Sequence, residues 1–223
     1  MGNGIIKFIA DSILSVIYSR EEVCILCGSY CMEEDLICKS CFKKIEFFNK
    51  SFKLKKYNVE LQCFSAAYYS GPIMELVKRL KYKSDFNRGE AIAGYLVELV
   101  KNNSIEYELI TYVPMTRAAL QKRGFNQGRF LASSVGSTLN KPVRELIKKI
   151  RNTKDQIGLD AINRWENLND CFKIKDEKSI KNKKILLVDD VITTGATAFC
   201  CARELLVSGA DKVTVLTVAK SKL

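Results

Sequence analysis

Two stretches of this chain combine residue types and spacings that could do chemistry. The first is ILLVDDVITTGAT, residues 185 to 197, where an apolar run meets two adjacent carboxylates and then small hydroxyl residues around a glycine. An unbroken apolar run predicts a strand covered on both faces. Asp189 and Asp190 then stand at its carboxyl end, where ligands gather in open α/β sheets. Thr193, Thr194, Gly195, Ala196 and Thr197 lead into a helix, offering backbone N–H groups, hydroxyls and the positive end of a helix dipole. That combination suits a phosphate. Small side chains matter because the amides must approach the oxygens closely. Two carboxylates nearby would repel the same phosphate, so they must face hydroxyls or a divalent cation. A phosphate beside vicinal hydroxyls is a sugar phosphate, such as ribose 5-phosphate. No GxxxxGK[ST] occurs, which excludes a P-loop NTPase.

The second stretch holds two CxxC pairs, Cys24 with Cys27 and Cys38 with Cys41, ten residues apart. Each such turn aims two thiolates at one ion, and two turns complete a tetrahedral zinc site with no open position. The expected role is therefore structural. So small a module has little apolar surface, and the metal would supply much of its folding free energy. Gly28, directly after Cys27, suits the tight backbone of a knuckle. Cys31 is a fifth thiol between the pairs that could replace a ligand, and Cys63, Cys171, Cys200 and Cys201 read as small core residues. The chain has nine cysteines and no histidine, which removes Ser-His-Asp and Cys-His catalysis and every imidazole metal site.

The elements that must position these groups follow from periodicity. Residues 61 to 68 read as a strand, and Gly71-Pro72 opens a helix with proline at a tolerated first-turn position. Further helices are predicted at 88 to 101, 127 to 139 and 195 to 208, and strands at 108 to 114, 184 to 188 and 213 to 218. Strands alternating with helices predict an α/β fold built on a doubly wound, mainly parallel sheet. Residues 39 to 56 carry seven lysines against one acid and read as a connector. The expected division is a zinc module with an N-terminal helix over 1–58 and the α/β domain over 59–223.

The formal charge is +11, from 36 Lys and Arg against 25 Asp and Glu, which favours phosphate-rich partners. No secretory leader is evident, and the expected compartment is the cytoplasm, where clustered thiols mean metal more often than disulfide. Residues 4 to 18 place Ile5, Ile9, Ile13, Val16 and Ile17 on one helical stripe broken by Lys7 and Asp11, too charged to span a bilayer. The stripe packs on the protein itself or lies on the inner face of a membrane as a peripheral contact.

All thirteen positions of residues 185 to 197 resemble the 5-phosphoribosyl 1-pyrophosphate (PRPP) signature of type I phosphoribosyltransferases. VPMTRAALQKRGFNQ at 113 to 127, residues 149 to 172, the four-cysteine module and the closing GADKVTVLTVAK resemble the ComF family of competence proteins over nearly the whole chain. Members often carry a histidine before RGFNQ, where this chain has Met115 and Thr116. The resemblance implies a type I phosphoribosyltransferase-like sheet. It implies that Asp189 and Asp190 contact ribose hydroxyls, with Asp190 assisting proton transfer, and that Thr193, Thr194, Gly195, Ala196 and Thr197 wrap the 5′-phosphate. Thr116, Arg117 and Arg123 fall where the family has its pyrophosphate loop, and a guanidinium pairs with two phosphate oxygens at once. Residues 152 to 168 read as a lid that excludes water.

The implied activity is transfer of phosphoribosyl from PRPP, with Mg²⁺, to an acceptor the sequence does not name, in the service of DNA uptake. The rival reading is an adaptor for single-stranded DNA and other competence or DNA-processing proteins, in which the PRPP site is regulatory. Basic runs at 39 to 56, 141 to 154 and 173 to 184 favour the adaptor.

Overall fold

The structure, a computed structural model, describes residues 23–31, 36–151, 168 and 170–222. The helix expected at 4 to 18 and nearly all of the expected lid lie outside the described residues. Two compact units divide the chain, residues 1–43 and 44–223.

In the smaller unit a β-bridge joins Val23 to Tyr30 across the first knuckle, and a single helical turn, α1 (Lys39–Phe42), follows the second. Among the described residues of this unit, Cys24, Cys31, Ile37 and Cys41 are the buried apolar side chains.

The larger unit is a mixed α/β fold on a five-stranded sheet in the order β1-β2-β7-β6-β3. The strands are β1 (Phe47–Lys56), β2 (Val59–Tyr68), β3 (Leu109–Tyr112), β6 (Lys184–Ile192) and β7 (Lys212–Lys220). Only the β1–β2 pair is antiparallel, and β2, β7, β6 and β3 run parallel. Helices α2 (Gly71–Lys83), α3 (Phe86–Asn102), α5 (Gln127–Leu139) and α6 (Ala196–Val207) complete the crossovers. The run 185 to 188 is fully buried because its residues alternate between two packed faces. Ile185 and Leu187 join Phe199 of α6 in one core cluster, and Leu186 and Val188 point the other way. The largely parallel sheet expected from the sequence is the one observed.

Three elements differ from the sequence reading. The lysine-rich connector is in large part strand β1, so the two units meet at Lys43 and Lys44 and not near residue 58. Its lysines sit on an edge strand, where charge is compatible with pairing on one side only. Tyr57 and Asn58, both at positive φ, form the two-residue turn that joins it to β2. A short helix, α4 (Arg117–Arg123), follows β3, capped by Thr116 and ended by Gly124 at φ 81°. A two-stranded ribbon of β4 (Ile147–Lys149) and β5 (Phe172–Ile174) packs beside α6.

Candidate functional site

Strands β3 and β6 are parallel neighbours, so their carboxyl ends open at the same edge of the sheet. The Val113 N–H donates to the Val188 carbonyl at 3.0 Å, which ties the loop after β3 to the strand carrying the acids. Helix α5 begins against both ends: a Cβ on Gly128 would lie 3.5 Å from the carbonyl oxygens of Val113 and Val188. The Asn126 amide caps this helix by accepting from the Arg129 N–H at 3.0 Å and donates to the Val113 carbonyl at 3.1 Å. RGFNQ therefore braces the strand ends.

The acid pair lies within β6, which continues to Ile192. Alternation along a strand sends neighbouring side chains to opposite faces. Asp189 follows Ile185 and Leu187 toward α6, and Asp190 turns toward α2. The expectation that the strand ends at Val188, with both acids just beyond it, thus needs correction. Asp190 is 4% exposed, and Lys81 Nζ of α2 approaches its Oδ2 to 2.9 Å. The approach is an ion pair without hydrogen-bond geometry, leaving that oxygen with no hydrogen-bond partner. Burial alone would lower the Lys81 pKa, but Asp190 and then Asp189 outweigh it and the ammonium is held above its usual range. No motif announces Lys81; among so many lysines only its place at the border of the apolar face of α2, next to buried Leu80, sets it apart.

The Asp189 carboxylate accepts from the Asp190 N–H at 2.9 Å. Burial, then repulsion from Asp190, pushes its pKa up to about 7 against the opposing pull of Lys81. The unfolded chain releases this proton near 3.8, so the stabilisation is complete below that pH and is lost as pH rises toward 7. Asp189→Asn is expected to flatten this part of the stability–pH curve, as read by urea midpoints between pH 4 and 7. An unchanged slope would mean that Asp189 is already ionised across that range.

The phosphate-loop candidates are contiguous at the start of α6. Gly195 sits at φ 78°, the left-handed region, and is the cap residue of the helix. The Thr194 hydroxyl accepts from the Ala196 N–H at 3.4 Å, and the Gly195 carbonyl accepts from the Phe199 N–H at 2.8 Å. Leu54 of β1 covers this glycine: a Cβ there would lie 2.7 Å from Leu54 Cδ1. Leu54 can rotate away, but the backbone strain stays. Gly195→Ala is expected to cost about 1–2 kcal/mol in denaturant unfolding, and full stability in the variant would show that the loop adopts another conformation.

The remaining predicted residues are less unified. The Thr116 hydroxyl is engaged as the α4 cap, accepting from the Ala119 N–H at 3.2 Å. Arg123 donates to Gln127 Oε1 at 2.7 Å and stacks 5.6 Å from the Tyr82 ring centre. Thr116 and Arg117 line a basic cleft whose walls include neither the acid pair nor residues 193 to 197.

In the small unit Cys24, Cys27, Cys38 and Cys41 bring their sulfurs within 4.8 Å of one another. The Cys27 and Cys38 sulfurs are 3.8 Å apart, matching the edge of about 3.8 Å of a tetrahedron with metal–sulfur bonds of about 2.3 Å. Cys31 is not among the four clustered sulfurs. The Cys38 N–H donates to the Cys24 sulfur at 3.3 Å and the Cys41 N–H to the Cys38 sulfur at 3.4 Å, the outer contacts that orient thiolate ligands. The Ser29 hydroxyl beside Cys27 lowers that thiol to about 6. Burial and then the neighbouring sulfurs push Cys41 up to about 12. The cluster suits a tetrahedral ion such as zinc.

The chain is 28% identical to competence protein F of Haemophilus influenzae, over 69% of this chain and 70% of that one. It is 27% identical to the DNA utilization protein YhgH of Salmonella typhimurium over 91% and 86%, and 29% identical to competence protein ComFC of Streptococcus pneumoniae over 68% and 65%. Its homologues are competence and DNA-utilization proteins. No family model matches the chain. Solved structures similar to it include glutamine PRPP amidotransferase from B. subtilis, at 17% identity over 63% of this chain and 30% of that one with a TM-score of 0.44. Adenine phosphoribosyl transferase from Trypanosoma brucei is similar at 14% identity over 71% and 83%, also with a TM-score of 0.44. Among the described residues no helix is long and apolar enough to cross a membrane.

Proposed function

We propose that the carboxyl end of β6 binds PRPP and that the protein transfers its phosphoribosyl group while serving DNA uptake. The observation that carries this reading is the succession of a buried strand, an acid pair and a glycine-capped helix start within residues 185 to 197. The amides at the start of α6 meet the 5′-phosphate, with the hydroxyls of Thr193, Thr194 and Thr197 around it. Asp189, the more accessible acid, accepts from a ribose hydroxyl, and Asp190 braces the same edge through Lys81. Lys81 and Arg123, which stacks on the neighbouring Tyr82, supply cations for the leaving diphosphate, whose charge grows as the C1–O bond breaks. Asp189 is the carboxylate that would hold Mg²⁺ brought with PRPP, and the ion would supply neutralising charge to the diphosphate. Zinc in the four-cysteine cluster is structural, since four thiolates leave no open position.

Because Asp189 must ionise to accept well, PRPP affinity is expected to rise as pH climbs through about 7. Calorimetry in the presence of Mg²⁺ would show this rise together with proton release. A pH-independent affinity between 6 and 8 would remove Asp189 from the contact.

A second reading is favoured by the net charge of +11 and by the similarity to a DNA utilization protein. In it the protein binds single-stranded DNA, and PRPP regulates that binding. Affinity for an oligonucleotide that falls steeply with salt supports this reading, whereas diphosphate release from PRPP with a defined acceptor supports transfer.

A further inference from the structure

Beside the sugar-phosphate site, and independent of it, two clefts share a wall. The first has a volume of about 480 Å³ and is faced by Phe86, Tyr112, Phe125 and Phe130. Phe86 stands 46% exposed at the first position of α3, with the rings of Phe125 and Phe130 each centred 5.2 Å away. Gly89 explains how the wall is held. A Cβ there would lie 2.4 Å from Phe130 Cε1, so only glycine lets that ring lie against α3. A glycine inside a helix gives up helix stability, and here it supports the position of an aromatic face.

The second cleft, about 840 Å³, is faced by five cations: Arg117, Lys148, Lys149, Arg151 and Lys175. Its carboxylate, Glu145, is answered by Lys175 at 2.8 Å. Met115, Leu120 and Glu145 line both clefts, so the aromatic space lies against the basic one. Flat aromatic faces select a planar ring, and the cations beside them select phosphate. A sugar phosphate, a lipid headgroup and an acidic peptide each offer the anion without the planar ring. We propose that the paired clefts bind a nucleotide unit, its base against Phe86 and Phe125 and its phosphate toward Lys148 and Arg151. The unit comes either as a free nucleotide or as one position of a single strand.

The test uses the full zinc-loaded chain, a fluorescein-labelled oligo(dT) and unlabelled AMP as probes, with PRPP binding measured in parallel. Phe86→Ser with Phe125→Ser is expected to weaken oligo(dT) by between about five- and a hundredfold. Lys148→Ala with Arg151→Ala should lower the salt slope by about two. Both double variants should keep their PRPP affinity and their thermal midpoint. If AMP displaces the oligonucleotide, the site accepts a free nucleotide; if only the oligonucleotide binds, the unit is read within a strand. Wild-type binding in the phenylalanine variant, no binding of either probe, or displacement of the oligonucleotide by PRPP overturns the proposal. The last outcome would make the basic cleft part of the diphosphate site.

Discussion

Asp190→Asn is expected to destabilise the larger unit by about 2–4 kcal/mol, and Lys81→Met by a similar amount. Each change strands a charge in a place built for two: Asp190 is 4% exposed, and the Lys81 side chain 19%. Breaking a buried pair costs about 3–5 kcal/mol, and the partial exposure of Lys81 brings that down. Replacing both partners leaves no stranded charge, so the double variant should recover most of the loss, with a coupling of about 2 kcal/mol in a double-mutant cycle. Urea unfolding measures all four corners. Recovery of the fold separates it from the site, because neither Asp190→Asn nor the repaired double variant should bind PRPP. Asp189→Asn should lose binding with little loss of stability, its proton being retained up to about pH 7 in the folded chain. A repaired variant that binds PRPP as the parent does would remove Lys81, and the Asp190 that positions it, from the site.

Removal of metal has the other large effect. The free energy of structural zinc binding in such modules is about 10–16 kcal/mol and is largely folding free energy. Among its described residues the smaller unit buries Cys24, Cys31, Ile37 and Cys41. Strong chelation should therefore unfold residues 23–43 while the sheet of residues 44–222 persists, visible as protease cleavage confined to the first segment. Zinc loading near neutral pH should release protons, Cys41 first among the sources because burial and its sulfur neighbours keep its thiol protonated. One concerted unfolding of the entire chain on chelation would show that the units are energetically one.

Much of this was open to reading because local chemistry and global fold agree. Gly71-Pro72 starts α2, the 127 to 139 periodicity is α5, and the run 185 to 188 is the buried strand it implies. The CxxC spacing carries its own geometry, and the four sulfurs converge as it requires. Strand β1 was not legible, since lysines on an exposed edge look like those of a linker until a partner strand is known. The acid pair was read as one feature; continuation of β6 to Ile192 turns its two members to opposite faces. Lys81 and the rings around Phe86 are brought together by tertiary packing across α2, α3 and α5, and no sequence window contains them.

The most direct measurement is a crystal of the full chain soaked with PRPP and Mg²⁺. The 5′-phosphate should lie on the amides that open α6, at Gly195, Ala196 and Thr197, with a ribose hydroxyl donating to Asp189. A ligand bound elsewhere, with the α6 amides turned to solvent and Asp189 still facing the core, would contradict the account.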